Sequence, residues 1–175
     1  ITCLGGHAHG TQDMVAALGN SCNVYFAQLA NDLGAEALQK KAEEMGFNTQ
    51  LEFGTIPIAE STIDLTDVNA NQLGWAGVGQ HTVLTNPYHM MVLMGAIANG
   101  GSYVEPRLTQ DANLLGSLSS GGRALVTSTE AQNLKTLLRG NVENYYGDWL
   151  FPSGWNVCAK TGTGEVGEGK GPNCW

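Results

Sequence analysis

A single domain of the α/β class, in its segregated α+β form, is the fold that this sequence predicts. Two observations carry that expectation. Helix punctuation recurs along the chain, after Ser21, after Gly34, at Thr85-Asn86-Pro87 and at Thr127, while one clear strand-like run, Trp155 to Thr161, arrives late. The length, 175 residues, allows one sizeable core and argues against two full domains.

The elements follow in order. Val24, Ala27, Leu29, Ala30 and Leu33 form the apolar stripe of a first strong helix, closed by Gly34. A second helix is expected from about Ala35 to Met45, stopped by Gly46. From Leu51 to Asn71 the pattern is mixed and polar, with Pro57 inside it, and an irregular connection is expected. Gly74-Trp-Ala-Gly-Val-Gly79 reads as a glycine-rich loop. Asn86 is an N-cap candidate with Pro87 in the first turn. The run through Met90, Met91, Leu93, Met94, Ile97 and Ala98 is apolar nearly all round, which calls for burial, until Asn99-Gly100-Gly101 stops it. Tyr103 to Leu108 suits a short strand interrupted by Pro106, and Ser117 to Gly122 a flexible turn. Thr127-x-x-Glu130 is a capping box opening a helix that buries Leu134, Leu137 and Leu138 and ends at Gly140.

Composition excludes some functions. Hydrophobic residues make up 42% and charged residues 14%, a folded globular balance. Net charge is −8, and the eight basic residues never form a run, which argues against a nucleic-acid surface. No run of about 18 apolar residues marks a membrane span. Four cysteines, Cys3, Cys22, Cys158 and Cys174, lack C-x-x-C spacing, so no zinc or dithiol site is expected. Cys22 and Cys158 sit in apolar stretches as small buried side chains, and Cys3 with Cys174 is a candidate disulfide. His7 and His9 alternate as on one strand face, but no third ligand is apparent, and no metal or cofactor is expected. Trp75, Trp149 and Trp155 are candidates to line a groove; Asp64 and Asp67 form no recognisable acid–base pair.

Three signatures overlap in Lys160-Thr-Gly-Thr-Gly-Glu-Val-Gly-Glu-Gly-Lys-Gly171. Gly162, Gly164 and Gly167 spell a dinucleotide fingerprint, yet Gly167 to Pro172 cannot start the helix that fingerprint needs. A phosphate loop fails because residue 171 is Gly where a magnesium-binding hydroxyl is required, and Glu165 and Glu168 would repel phosphate. Lys160-Thr161-Gly162 has a companion upstream, Ser21-Cys22-Asn23, and the two belong to one signature set of acyl-serine enzymes.

With those residues in place, the sequence resembles the transpeptidase domain of class B penicillin-binding proteins. Ala17-Leu-x-x-Ser21-Cys-Asn-x-x-Phe26 resembles the second motif of that family. Gly77-Val-Gly-Gln80 with Thr85-x-Pro-x-x-Met90 resembles its glycine loop and buried helix, and Lys160-Thr-Gly-Thr-Gly-Glu165 its third motif. The likeness runs from about His9 to Trp175, with Ala159 where the family often has Gly.

The resemblance implies a penicillin-binding-protein/β-lactamase-like transpeptidase fold and acyl transfer from D-alanyl-D-alanine peptides. Ser21 would relay a proton to the leaving nitrogen, although it is also placed to cap a helix beginning at Cys22. Asn23 would hold the substrate backbone, and Lys160 would bring positive charge to the substrate carboxylate. Thr161 and Thr163 would offer hydroxyls, Gly162 would let the substrate backbone approach, and the Thr163 N–H would be one oxyanion donor. Peptidoglycan stem peptides and β-lactams are the implied ligands, with cell-wall synthesis proteins as further partners. An extracytoplasmic location with a membrane anchor outside these residues is also implied.

No serine here is followed three positions later by lysine, so the family's first motif, nucleophile and base, is absent. Residues 1–175 are therefore expected to be part of a transpeptidase domain, without the S-x-x-K region and the C-terminal strands and helix, and unable to be acylated alone. Two alternatives stand beside this one: a β-lactamase or β-lactam sensor of the same fold, and a non-catalytic peptidoglycan-binding module that has lost the nucleophile.

Overall fold

Helix α1, Met14–Gly19, starts where the Asp13 carboxylate accepts the Ala16 N–H at 2.8 Å. The computed structural model describes residues 1–54, 56–104, 106, 123–164 and 169–175. It divides into two compact units: Ile1–Leu38, Leu65–Val83 and Lys135–Trp175 form the first, and Gln39–Asp64 with Leu84–Leu134 the second. The architecture is mixed helix and strand, and no described helix is long and apolar enough to cross a membrane.

In the first unit, α1 is followed by α2, Asn23–Leu33, and by the start of α3, Ala35–Glu44. Ala27 and Ala30 of the expected stripe are buried, whereas Val24 and Leu33 are exposed, so the buried face of α2 is narrow and made of small side chains. Its partner is α4, Ala70–Gly77. The sequence reading of residues 74–79 as a loop is corrected here. Asn69 and Gln72 form a reciprocal capping box, and Gly74 and Gly77 lie inside the helix, facing α2. A Cβ on Gly74 would sit 3.1 Å from Ala27 Cβ, and one on Gly77 would overlap Ala30 Cβ and reach 3.0 Å from the Phe26 carbonyl oxygen. These glycines allow close helix contact; the chain turns only after them, at Gly79 with φ 81°. Asn31 seals the pair, donating from Nδ2 to the Ala70 carbonyl at 3.1 Å.

A second cluster in this unit buries Cys3, Ala17 and Cys22 beneath Tyr25 and Phe26. All four cysteines are free thiols; Cys3 is buried and Cys174 exposed, so the Cys3–Cys174 candidate pair is not formed. Cys158 is half-buried, less enclosed than its apolar setting suggested.

The second unit carries the hairpin β1, Leu51–Phe53, with β2, Ile56–Ile58, where an irregular connection was expected. Pro57 is tolerated because a two-stranded ribbon leaves each strand an unpaired edge. Helix α5, Pro87–Ala98, begins as its sequence indicates: Asn86 Oδ1 accepts the His89 N–H at 2.8 Å and Pro87 occupies the first turn. It buries Val92, Leu93, Ala96 and Ile97, while Met91 faces out, so burial is one-sided and not all round. His89 is fully enclosed; its Nε2 lies 2.9 Å from the Met45 carbonyl and its ring meets Phe47 edge-on. The expected strand at 103–108 and turn at 117–122 lie largely outside the described residues. Helix α6, Ser128–Asn141, belongs to this unit as far as Leu134 and to the first from Lys135; it opens with the expected box, Thr127 N–H to Glu130 at 2.6 Å and Glu130 N–H to the Thr127 hydroxyl at 3.2 Å. It buries Ala131 and Leu138, leaving Leu134 and Leu137 half-buried. Beyond Gly140 it continues through Asn141 into a π-helical turn, Val142–Tyr146.

Two predictions follow from these contacts. Gly77→Ala gains about 0.5–1 kcal/mol of helix propensity but forces a methyl into Ala30. Overpacking of this kind costs about 1–3 kcal/mol, so a lower urea midpoint for the variant is expected. The second concerns acid. The Lys41 ammonium, 2.7 Å away, and then the Thr127 N–H hold the Glu130 carboxyl at about 2, below its ordinary 4.5. A depressed carboxyl stabilises the fold above its unfolded value, and the contribution is lost as pH falls from there through about 2. Glu130→Gln should therefore be less stable than the parent at pH 7, and the two denaturation midpoints should converge as pH falls to about 2.

Candidate active site

Ser21 occupies the joint between α1 and α2 in a left-handed conformation, φ 49°, which costs a non-glycine residue about 1–2 kcal/mol. It is not a helix cap. Cys22 holds the N-cap position of α2 without a side-chain cap bond, and the Ser21 hydroxyl is turned to other use. It accepts a hydrogen bond from Lys160 Nζ at 2.6 Å across a sequence separation of 139. Asn23 opens α2, and its Nδ2 donates to the Thr2 carbonyl at 3.1 Å. Cys22, between them, points into the core. One cleft of about 1190 Å³ is lined by Ser21, Asn23, Lys160, Thr161, Gly162 and Thr163, with Trp75 on its wall. Trp149 and Trp155 are not among its lining residues and are largely solvent-exposed.

The segment carrying Lys160 is fixed from one side by α6 and the turn after it. Trp155 to Thr161 was expected as a strand; it forms none, its Ala159 N–H bonds the Leu138 carbonyl at 3.3 Å, and side chains from α6 take two of its carbonyls. Arg139 donates to the Val157 carbonyl at 3.0 Å and Asn141 Nδ2 to the Ala159 carbonyl at 2.9 Å. Regular pairing starts later, between β3, Thr163–Gly164, and β4, Asn173–Cys174. Residues 165–168 lie outside the described residues.

Register decides where the Thr163 amide points. Gly162 and Trp175 exchange both hydrogen bonds, N–H to carbonyl at 3.1 and 2.9 Å. In an antiparallel pair the next residue turns its N–H the other way, so the Thr163 N–H faces away from β4. Gly162 itself is not required by packing: a Cβ there would meet only Trp175 Cβ, at 3.8 Å. Lys160 Nζ also donates to the Thr161 carbonyl at 2.7 Å, and no described carboxylate forms a salt bridge with it.

Tyr146 was not singled out from the sequence. Its hydroxyl accepts the Thr161 N–H at 2.9 Å and shares a second hydrogen bond with the Thr161 hydroxyl, also 2.9 Å. Burial opposes phenolate formation, but the Thr161 N–H, the Thr161 hydroxyl, Asn141 and the nearby Lys160 charge together pull its pKa below the ordinary value. The π-helical turn aims Tyr146 at Thr161, and such a turn leaves no sequence pattern to read.

A mixed helix–strand fold here presents a serine, an asparagine and a lysine to one cleft, from the two motifs that resemble the signature set of acyl-serine enzymes. Comparison with known proteins makes the assignment specific: residues 5–175 match the penicillin binding protein transpeptidase domain, and the chain belongs to that family. It is 30% identical over 172 residues to the peptidoglycan D,D-transpeptidase PbpA of Mycobacterium tuberculosis, covering 93% of this chain and 35% of the relative. It is 29% identical over 157 residues to penicillin-binding protein 3 of Bacillus subtilis, covering 88% of this chain and 23% of the relative. Among solved structures, the ceftriaxone acyl-enzyme complex of M. tuberculosis penicillin-binding protein A superposes with a TM-score of 0.85 at 27% identity, over 98% of this chain and 41% of that one. The D,D-transpeptidase domain of a peptidoglycan glycosyltransferase from Eggerthella lenta gives 0.82 at 28% identity, over 100% and 46%. The chain thus spans about a third or less of these curated relatives.

Tyr146→Phe tests how the lysine-bearing segment is held. Each lost hydrogen bond is worth about 0.5–1.5 kcal/mol, so the Thr161 amide should exchange with solvent roughly 3- to 10-fold faster. Hydrogen exchange read at Thr161, with a core amide such as that of Ala30 unchanged as control, checks it.

Proposed function

We propose that these residues form part of a D,D-transpeptidase that cross-links peptidoglycan stem peptides and is acylated by β-lactams. The observation that carries the reading is the 2.6 Å contact from the Lys160 ammonium to the Ser21 hydroxyl at the wall of an open cleft. Because Ser21 Oγ accepts from the ammonium, its own proton is available to be donated into the cleft. A hydroxyl polarised in this way can pass a proton to the departing D-alanine nitrogen. Lys160 adds a positive charge for the substrate carboxylate, Thr161 and Thr163 add hydroxyls, and the Asn23 amide holds the substrate backbone. The orientation of the Thr163 N–H, away from β4, suits an oxyanion donor. Gly162 keeps the face clear, which fits its lack of any packing role in this chain.

The nucleophile and its lysine base belong, in this reading, to an S-x-x-K segment outside these residues, since no serine here has lysine three positions on. Ser21 is followed at that spacing by Val24 and lacks such an activator. The acylated state of the M. tuberculosis relative's solved complex supports β-lactam acylation here. An extracytoplasmic setting, with a membrane anchor outside these residues, is part of the same proposal.

The test is acylation of the full-length protein by a fluorescent penicillin, followed by denaturing electrophoresis and peptide mapping. One stoichiometric label on an S-x-x-K serine is expected. Lys160→Ala should slow labelling by about 10²–10³, the loss typical when one electrostatic contact is removed from an acyl-transfer site. A label mapping to Ser21 would mean that the roles are misassigned. A folded full-length protein that takes no label would be a binding module.

A further inference from the structure

We propose that Cys3, His9 and Cys22 form a binding site for a borderline-soft divalent cation, Zn²⁺ in particular, directly behind the Ser21–Asn23 turn. The two thiol sulfurs and a ring nitrogen of His9 all lie within 4.8 Å of one another. Sequence spacing concealed the set, since its members fall at positions 3, 9 and 22, and the alternation of His7 with His9 drew attention to the wrong pair. The inference stands independently of the transpeptidase reading.

Geometry favours a shared metal. Zinc takes sulfur at about 2.3 Å and imidazole nitrogen at about 2.0–2.1 Å, so two sulfurs on one tetrahedral ion stand about 3.8 Å apart. Cys3 Sγ and Cys22 Sγ are 3.7 Å apart, already at that separation and far from the roughly 2.05 Å of a disulfide. A small inward movement of the imidazole would complete three corners of the tetrahedron.

The surroundings point the same way. Both cysteines are buried, in a cluster with Ala17. His9 Nδ1 is also buried and has no hydrogen-bond partner among the described residues, an unusual position for an imidazole nitrogen unless something is meant to bind it. Two thiolates and a neutral imidazole are a donor set that selects zinc over magnesium or calcium, and three protein ligands leave one position open. Binding releases the two thiol protons and leaves a neutral first shell.

The consequence would fall on the site. Cys22 separates Ser21 from Asn23, so a metal tying Cys22 to Cys3 and His9 fixes the turn whose hydroxyl meets Lys160.

The experiment uses the purified, reduced protein and chelator-buffered Zn²⁺, with bound metal measured by elemental analysis. One equivalent per chain is expected, and the cobalt-loaded protein should show thiolate-to-cobalt charge transfer with the intense visible bands of a four-coordinate ion. Zinc should shield Cys3 and Cys22 from alkylation while leaving Cys158 and Cys174 reactive, read by peptide mass mapping of the unmutated chain. Affinity should fall at least about 10-fold in His9→Gln and in Cys22→Ser. Absence of stoichiometric zinc, zinc affinity unchanged in both variants, or alkylation of Cys3 and Cys22 unaffected by zinc would each overturn the proposal. So would a Cys3–Cys22 disulfide whose reduction yields no zinc-binding protein.

Discussion

The contact between Lys160 and Ser21 sets the demand that the first unit has to meet. It joins residues separated by 139 positions, and the Lys160 ammonium is steadied locally only by the neighbouring Thr161 carbonyl. A lysine loses about 2 kcal/mol of rotamer entropy when fixed, and two exposed hydrogen bonds do little more than recover that. The backbone on both sides must therefore be set in advance. Ser21 is held by a left-handed joint between two helices, and Lys160 by a segment pinned at Val157, Ala159 and Thr161.

That pinning explains how the run before Lys160 can be held without a partner strand. A strand normally satisfies its backbone through a neighbour, and an orphaned buried carbonyl is expensive. Here Arg139, Asn141 and Tyr146 take the place of the neighbour. Arg139 can do so because it is itself held by Glu143 at 3.0 Å and Asp148 at 2.7 Å, which orient the guanidinium toward Val157. The helix and the π-helical turn after it thus act as a side-chain ladder for the lysine segment.

Much of this was legible in the sequence, and the failures share a cause. The Thr127-x-x-Glu130 box, the Asn86-Pro87 start and the Ser21, Asn23 and Lys160 set could be read because each depends on local spacing or a compact motif. Gly74 and Gly77 were misread because glycine has two uses, a turn needing positive φ and a close approach needing no Cβ, and only the partner helix distinguishes them. Tyr146 escaped notice for a related reason. Its importance lies in what it meets, Thr161, and the turn that aims it has no periodic signature. The Cys3, His9 and Cys22 cluster was not considered as a set, because its members are far apart in sequence and are brought together by the approach of the N-terminal segment to the start of α2.

The middle residue of the Ser21-Cys22-Asn23 motif explains how such a site is coupled to its scaffold. Ser21 and Asn23 line the cleft, so the residue between them is turned inward; Cys22 is 4% exposed and packs on Cys3 and Ala17. A small side chain is enough to fill that space, and alanine would serve for packing alone. A thiol does more, because its chemistry can respond to metal or redox conditions that alanine would not register. One peptide bond joins that residue to Ser21, whose backbone conformation is already strained by its positive φ. The motif therefore has two faces, one toward the cleft and one toward the core, with the Cys22 thiol on the second.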